Sequence, residues 1–202
     1  MGKEKGVLEV IFRGSQVKTR SIDAKHLRAV GFTDNRDENM STTQSKSIPE
    51  DRIMLREIVH ICIVVRDVEK TAKVFADIFG IGPFRTRIMH SPPSKASVHG
   101  KPVEYTLKFG HAKVGPITLE LVQTLEGKTI YQEFLEKHGE GLHHIGVPTP
   151  LPFDAELEKW RKLGIEPLQT NRMEDPEEGW AYMDTQGLIG SILEILSFKR
   201  YQ

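Results

Sequence analysis

Two histidines and two glutamates stand inside aliphatic runs, where polar groups are costly. His60 interrupts Ile58-Val-His-Ile-Cys-Ile-Val-Val65, and His144 lies in Leu142-His-His-Ile-Gly-Val147. Glu120 sits between Leu119 and Leu121, and Glu194 between Leu193 and Ile195. A carboxylate in such a strand carries a heavy desolvation penalty unless it is paired or bound to a cation. Two imidazole nitrogens and two carboxylate oxygens form a donor set for a borderline or hard divalent ion. Four protein ligands leave an octahedral ion two open positions, which suits catalysis better than structural support.

Any one of these residues has a blander reading. A lone strand histidine is usually a hydrogen-bonded core residue, and a lone strand glutamate can face outward. The internal repeat is what joins the four. With a shift of 84 residues, His60-Ile61 falls on His144-Ile145, and Phe79-Gly80-Ile81 falls on Leu163-Gly164-Ile165. Farther along the register slips by ten residues, and Leu119-Glu120-Leu121 matches Leu193-Glu194-Ile195. Each half thus opens with a histidine in its first strand and closes with a glutamate in its last. Self-similarity of this kind marks a duplicated supersecondary unit.

The elements needed to position the four can be read from periodicity. The β-branched run around His60 has strand length. Asp67 is an N-cap, Val68, Ala72, Phe75 and Phe79 recur at helical spacing, and Gly80 stops the helix. Strands follow at 83–89, 103–109 and 117–123. In the second of these, Val103, Tyr105, Leu107 and Phe109 share one face and Glu104, Thr106 and Lys108 the other. Thr129 to His138 reads as a connecting helix. The second half repeats the order: a strand at 142–147, a helix through Phe153, Leu157 and Trp160 ending at Gly164, then strands near 166–170, 179–184 and 191–198. The expected class is α+β, two paired βαβββ modules forming a cupped mixed sheet around a metal site. Module one spans 55–124, the connecting helix 127–139 and module two 141–198. Residues 1–54 mix both charge signs without a sustained period and end in a polar Ser/Thr-rich stretch, the composition of a weakly ordered extension.

Bulk composition narrows the partners. Lysines and arginines balance aspartates and glutamates at 28 each, for a net charge of zero. A nucleic-acid or membrane-surface binder would carry a basic excess. The single cysteine permits no internal disulfide and fits a reducing compartment. No apolar run reaches the length of a membrane span, and Val7 to Phe12 lacks the features of a signal peptide. The expectation is a cytoplasmic protein acting on a small molecule.

At these residues the chain resembles the vicinal oxygen chelate superfamily, which includes glyoxalase I, extradiol dioxygenases, bleomycin-resistance proteins and methylmalonyl-CoA epimerase. The resemblance covers about residues 55 to 198. Gly139-Glu-Gly-Leu-His-His-Ile145 and the two Leu-Glu strands look most like the epimerase branch. The resemblance implies metal ligation by His60, Glu120, His144 and Glu194, with cobalt, manganese, nickel, zinc or magnesium as the ion. It further implies an isomerase that removes a proton α to the carbonyl of an acyl-CoA thioester, and a homodimer. Glu194 would then double as an acid/base. Glu104, sixteen residues before Glu120, would be the other acid/base, unless it is an ordinary polar-face residue. Of the two adjacent histidines His144 is in register with His60, leaving His143 outward-facing or behind the ligand.

Other readings of the same residues differ in chemistry. A glyoxalase I-like lyase uses the same ligand types. An extradiol dioxygenase needs only two histidines and one carboxylate, which the extra Glu120 disfavours. A bleomycin-resistance type binding protein would need no metal ligands. No phosphate cradle or basic cluster argues independently for coenzyme A, since Lys101, Lys108 and Lys113 are scattered. His90, His99 and His111 fall at expected loops or strand ends, and Cys62 reads as a small buried hydrophobe.

Overall fold

The computed structural model describes residues 7–13, 16–22, 53, 55–149 and 152–201. The chain divides into two units, Met1–Pro49 and Glu50–Gln202. In the first, β1 (Val7–Arg13) and β2 (Gln16–Ile22) form an antiparallel hairpin with Val10 opposite Thr19. The rest of the expected N-terminal extension lies outside the described residues, apart from Ile53.

In the second unit, β3 (His60–Val64) leads to α1 (Val68–Phe79), β4 (Arg85–Ser91), β5 (Ala96–Val98), β6 (Lys101–Pro102), β7 (Tyr105–Val114) and β8 (Ile117–Gly127). The connecting helix α2 (Ile130–His138) follows. The second half runs β9 (Gly141–Pro148), α3 (Phe153–Lys162), β10 (Pro167–Arg172), β11 (Gly179–Met183), the short α4 (Gln186–Ile189) and β12 (Ile192–Ser197). Local chemistry sets the helix limits as the sequence suggests. Asp67 accepts a hydrogen bond from the Lys70 N–H, and Gly80 takes the left-handed conformation at φ 65°. Thr129 caps α2 through the Gln132 N–H.

Ten strands form one mixed sheet in the order β4-β7-β8-β3-β9-β12-β11-β10-β5-β6. Within each half the first strand runs parallel to the last, β3 beside β8 and β9 beside β12. The halves join where β3 and β9 pair antiparallel. At the far ends of this order lie β4 and the β5–β6 ribbon, yet only residues 92–95 separate Ser91 of β4 from Ala96 of β5. Five extended peptide steps span at most about 18 Å. The sheet must therefore curl into a cup to bring its two edges together.

Strand alternation sorts side chains onto the two faces of the cup. On β3, β11 and β12 the inner set is Cys62 and Val64, Trp180 and Tyr182, Ile192 and Leu196. The alternate residues Ala181, Met183, Leu193 and Ile195 meet Trp160 and Leu157 of α3 on the outside. Val65 and Leu121 meet Val68 of α1 in the same way. Ile130 and Tyr131 of α2 join the inner core. Glu120 and Glu194 fall in the inner register, one step before Val122 and Leu196.

Three features differ from the expectations. The third strand of module one runs five residues beyond Phe109, to Val114. Two short strands, β5 and β6, are inserted before it, and β5 pairs with β10 of the other module. The short helix α4 lies between the expected strands at 179–184 and 191–198. The first two depend on hairpin or cross-module pairing rather than on local periodicity.

Gly110 lets α1 sit close on β7, since a Cβ there would stand 2.8 Å from Val68 Cγ1. Gly110→Ala should lower stability by about 1–3 kcal/mol through overpacking. Urea unfolding measures this, and an unchanged midpoint would contradict the close approach.

Candidate metal centre

Register places the chemistry of both halves on adjoining rows of the inner face. Across β8, β3 and β9, Glu120 pairs with Cys62 and Cys62 with His144. One step along, His60 on β3 lies opposite Gly146 on β9, which lies opposite Glu194 on β12. Gly146 is required there. A Cβ at that position would stand 2.1 Å from His60 Cε1, so only glycine admits the imidazole ring across β9.

Three ligand-type atoms converge at the junction. His60 Nε2 is 3.1 Å from His144 Nε2 and 2.7 Å from Glu194 Oε2. His144 Nε2 is 3.3 Å from the same oxygen. An octahedral ion with bonds of about 2.1 Å sets neighbouring donors roughly 3.0 Å apart. The triad has that spacing. Glu194 Oε2 is buried, and no hydrogen bond reaches it despite its short distance to His60. A buried anionic oxygen left in that state calls for a cation. The donor set and its geometry therefore fit a divalent ion. Glu120 reaches the group more loosely, with Oε1 3.7 Å from His144 Nε2.

Electrostatics follow from that crowding. Burial alone would lower the His60 pKa, but the facing Glu194 carboxylate, with Glu120 beyond, raises it to about 9. Burial likewise opposes ionisation of Glu194, yet His60 and His144 hold its carboxyl well below the usual range. Burial also works against Glu120, and the His111 hydrogen bond with His60 beyond outweighs it, so its pKa is lowered.

His111 is the residue that sequence reasoning missed. It lies inside β7, not at a loop or strand end, and its Nε2–H donates to Glu120 Oε2 at 2.6 Å. The signal was in the hairpin. Gly115-Pro116 closes a two-residue connection with Val114 opposite Ile117, so counting back from the turn puts His111 across from Glu120. His143 is buried, and its Nδ1 lies 2.9 Å from His144 Nδ1. A bulge opposite Cys62 and Ile63 accommodates it as the extra residue of β9, so it stands behind His144 rather than outward. Burial, with His144 beside it, lowers the His143 pKa to about 3 and keeps the ring neutral. Cys62 is buried in the row with Glu120 and His144, and desolvation and the nearby carboxylates push its thiol pKa well above normal.

Glu104 is not brought to this group. It precedes β7, seven residues from His111, or about 23 Å along an extended strand. Its side chain is 64% exposed and lies 3.4 Å from His90. The resemblance implies an acid/base at the third-strand position of Glu104, but the tight hairpin gives the place facing Glu120 to His111.

His60, His111, Glu120 and Glu194 border a cavity of about 510 Å³, whose walls include Phe109, Trp180 and Tyr182. A volume of this order suits a small organic ligand. Its walls, part apolar and part charged, and its convergent polar floor lie between the two halves of the cup.

A family model described as the Glyoxalase/Bleomycin resistance protein/Dioxygenase superfamily matches residues 59–183. No curated protein matches the chain. Solved structures similar to it include a methylmalonyl-CoA epimerase in complex with methylmalonyl-CoA and ammonium. The identity is 21% and the TM-score 0.50, over 71% of this chain and 94% of that one. A variant of the Streptomyces coelicolor methylmalonyl-CoA epimerase, in complex with 2-nitronate-propionyl-CoA, is similar at the same 21% identity and TM-score 0.50, over 71% and 94% of the two chains. At this identity the likeness establishes the fold.

The raised His60 pKa makes the metal-stripped protein pH-sensitive. Its contribution to stability is complete below the unfolded value of 6.5 and is lost as pH rises through about 9, a change on the order of 3 kcal/mol. Thermal melts of chelator-treated protein between pH 6 and 10 should show this decline. Gly146→Ala, which displaces the ring, should flatten it; an equal slope in both proteins would contradict the assigned pairing.

Proposed function

Because the chain belongs to the glyoxalase/bleomycin resistance protein/dioxygenase superfamily, we propose that it is a divalent-metal-dependent isomerase that removes a proton α to a carbonyl. The proposed substrate is an acyl thioester, as for the methylmalonyl-CoA epimerases. The observation that carries this reading is the convergence of His60 Nε2, His144 Nε2 and Glu194 Oε2 within 2.7–3.3 Å of one another. These three residues, with Glu120 as the fourth, are the proposed ligands. A divalent ion held there would polarise a carbonyl oxygen as a Lewis acid.

The chain's own residues supply the rest. Epimerisation needs one group to take a proton from one face of the α-carbon and another to return one to the opposite face. Glu194 on β12 and the His111–Glu120 pair on β7 and β8 flank the central strands β3 and β9 from opposite sides. Glu194 combines ligation with acid/base work, and His111 takes the second proton-handling role. Glu104, exposed and just before β7, is given no part in this reading. Behind the site, the His143 contact at His144 Nδ1 fixes which way the ligand ring faces. Phe109 and Trp180 give the cavity an apolar surface that limits water around the reacting group.

The same donors would serve a glyoxalase I-like lyase, which differs in acting on a glutathione hemithioacetal. A homodimer in the cytoplasm is part of the proposal by analogy. No helix among the described residues is long and apolar enough to cross a membrane.

Metal-loaded protein incubated with short acyl thioesters in D2O should exchange the α-hydrogen, followed by proton NMR. His144→Ala should abolish the exchange together with metal binding. His111→Asn should slow it by roughly a hundredfold or more while metal content is kept. Metal-replete protein that exchanges none of these thioesters would contradict the isomerase reading.

A further inference from the structure

Two guanidiniums share the cavity with the proposed metal ligands. Arg87 on β4 and Arg200, in the turn after β12, both border it. Neither has an acidic partner among the described residues, whereas Arg161 and Arg172 pair with Glu166 and Asp154. Both are instead held on aromatic faces. Arg87 Cζ lies 4.9 Å from the Phe109 ring centre. Arg200 Cζ lies 4.7 Å from that of Phe198 and 4.9 Å from that of Tyr201. Stacking engages the flat face of a guanidinium and leaves its in-plane N–H donors free for a second partner.

Charge balance indicates what that partner is. With a divalent ion in place, Glu120 and Glu194 neutralise it, and the two arginines leave the cavity positive. Cations lining a partly apolar cleft attract a ligand of opposite sign. We propose that Arg87 and Arg200 bind an anionic oxygen group of the substrate, a carboxylate or a phosphate, separate from the carbonyl that undergoes chemistry. This specificity rests on the isomerase reading for its chemistry, but the anion contact can be tested apart from it. The substrate class is then an acyl compound with a second, charged end.

Calorimetric titration of sodium malonate, inorganic phosphate and the neutral malonamide tests this on the full chain, with and without bound metal. Malonate or phosphate should bind, more tightly with metal in place than without it, and malonamide should not; the tighter anion identifies the source of the charge. Arg87→Gln and Arg200→Gln should each weaken that binding about tenfold, with metal content unchanged. Substitution by lysine should recover part of the affinity, since it keeps the charge without the planar fork. Equal binding by wild type and glutamine variants, malonamide binding as tightly, or no anion binding at all would overturn the proposal. Arginine-dependent anion binding by a chain that takes up no metal would leave this pair standing and remove the isomerase reading.

Discussion

Burying two carboxylates at the junction of two sheet halves is the constraint on which the rest of this structure depends. Each ionised group taken from water costs several kcal/mol unless opposite charge and hydrogen bonds replace the solvent. Glu194 meets His60 and His144, while Glu120 meets His111. Those partners come from three other strands, so the cost is met only when the complete curled sheet has formed. The antiparallel pairing of β3 with β9 and the parallel pairing of each with its own last strand are therefore conditions of the site as much as of the fold. The same crowding holds three lone-pair-bearing atoms at the spacing a divalent ion requires.

Duplication supplies the arrangement, and small departures from it supply asymmetry. Gly146 and Cys62 occupy equivalent places in the two halves. The glycine opens space for the His60 ring, while the cysteine side chain sits in the row beside His144. His144 is accordingly fully buried and backed by His143, whereas His60 keeps slight exposure toward the cavity. One carboxylate, Glu194, faces both histidines. The other, Glu120, is drawn toward His111. A pseudo-symmetric scaffold thus presents chemically different flanks to whatever occupies its centre.

Much of this was legible because it was local or repeated. Asp67 and Gly80 mark the ends of α1, and the β-branched run at His60 marks its strand. The matched Leu-Glu strands point to one inner face for both glutamates. What escaped notice depends on pairing between segments distant in sequence. The β5–β6 ribbon is defined by β10 of the other half, which no local period reveals. The role of Glu104 is implied by the resemblance alone, whereas the Gly115-Pro116 hairpin places His111 opposite Glu120. For His143 alternation left an outward place and one behind His144 both open, because a bulge leaves no mark in the hydrophobic pattern. Arg87 and Arg200 carry no sequence signal at all, since only the curl of the sheet brings β4 and the C-terminal turn to one cavity.

The most direct test of the proposed centre is elemental analysis of gently purified protein beside the His144→Ala and Glu194→Ala variants. The account predicts about one divalent ion per chain in the wild type and loss of that ion in both variants, with the fold retained by circular dichroism. Wild-type protein that holds no ion, even after incubation with cobalt, manganese, nickel and zinc, would contradict it. The buried carboxylates and histidines would then be a proton-linked polar cluster in a duplicated binding scaffold.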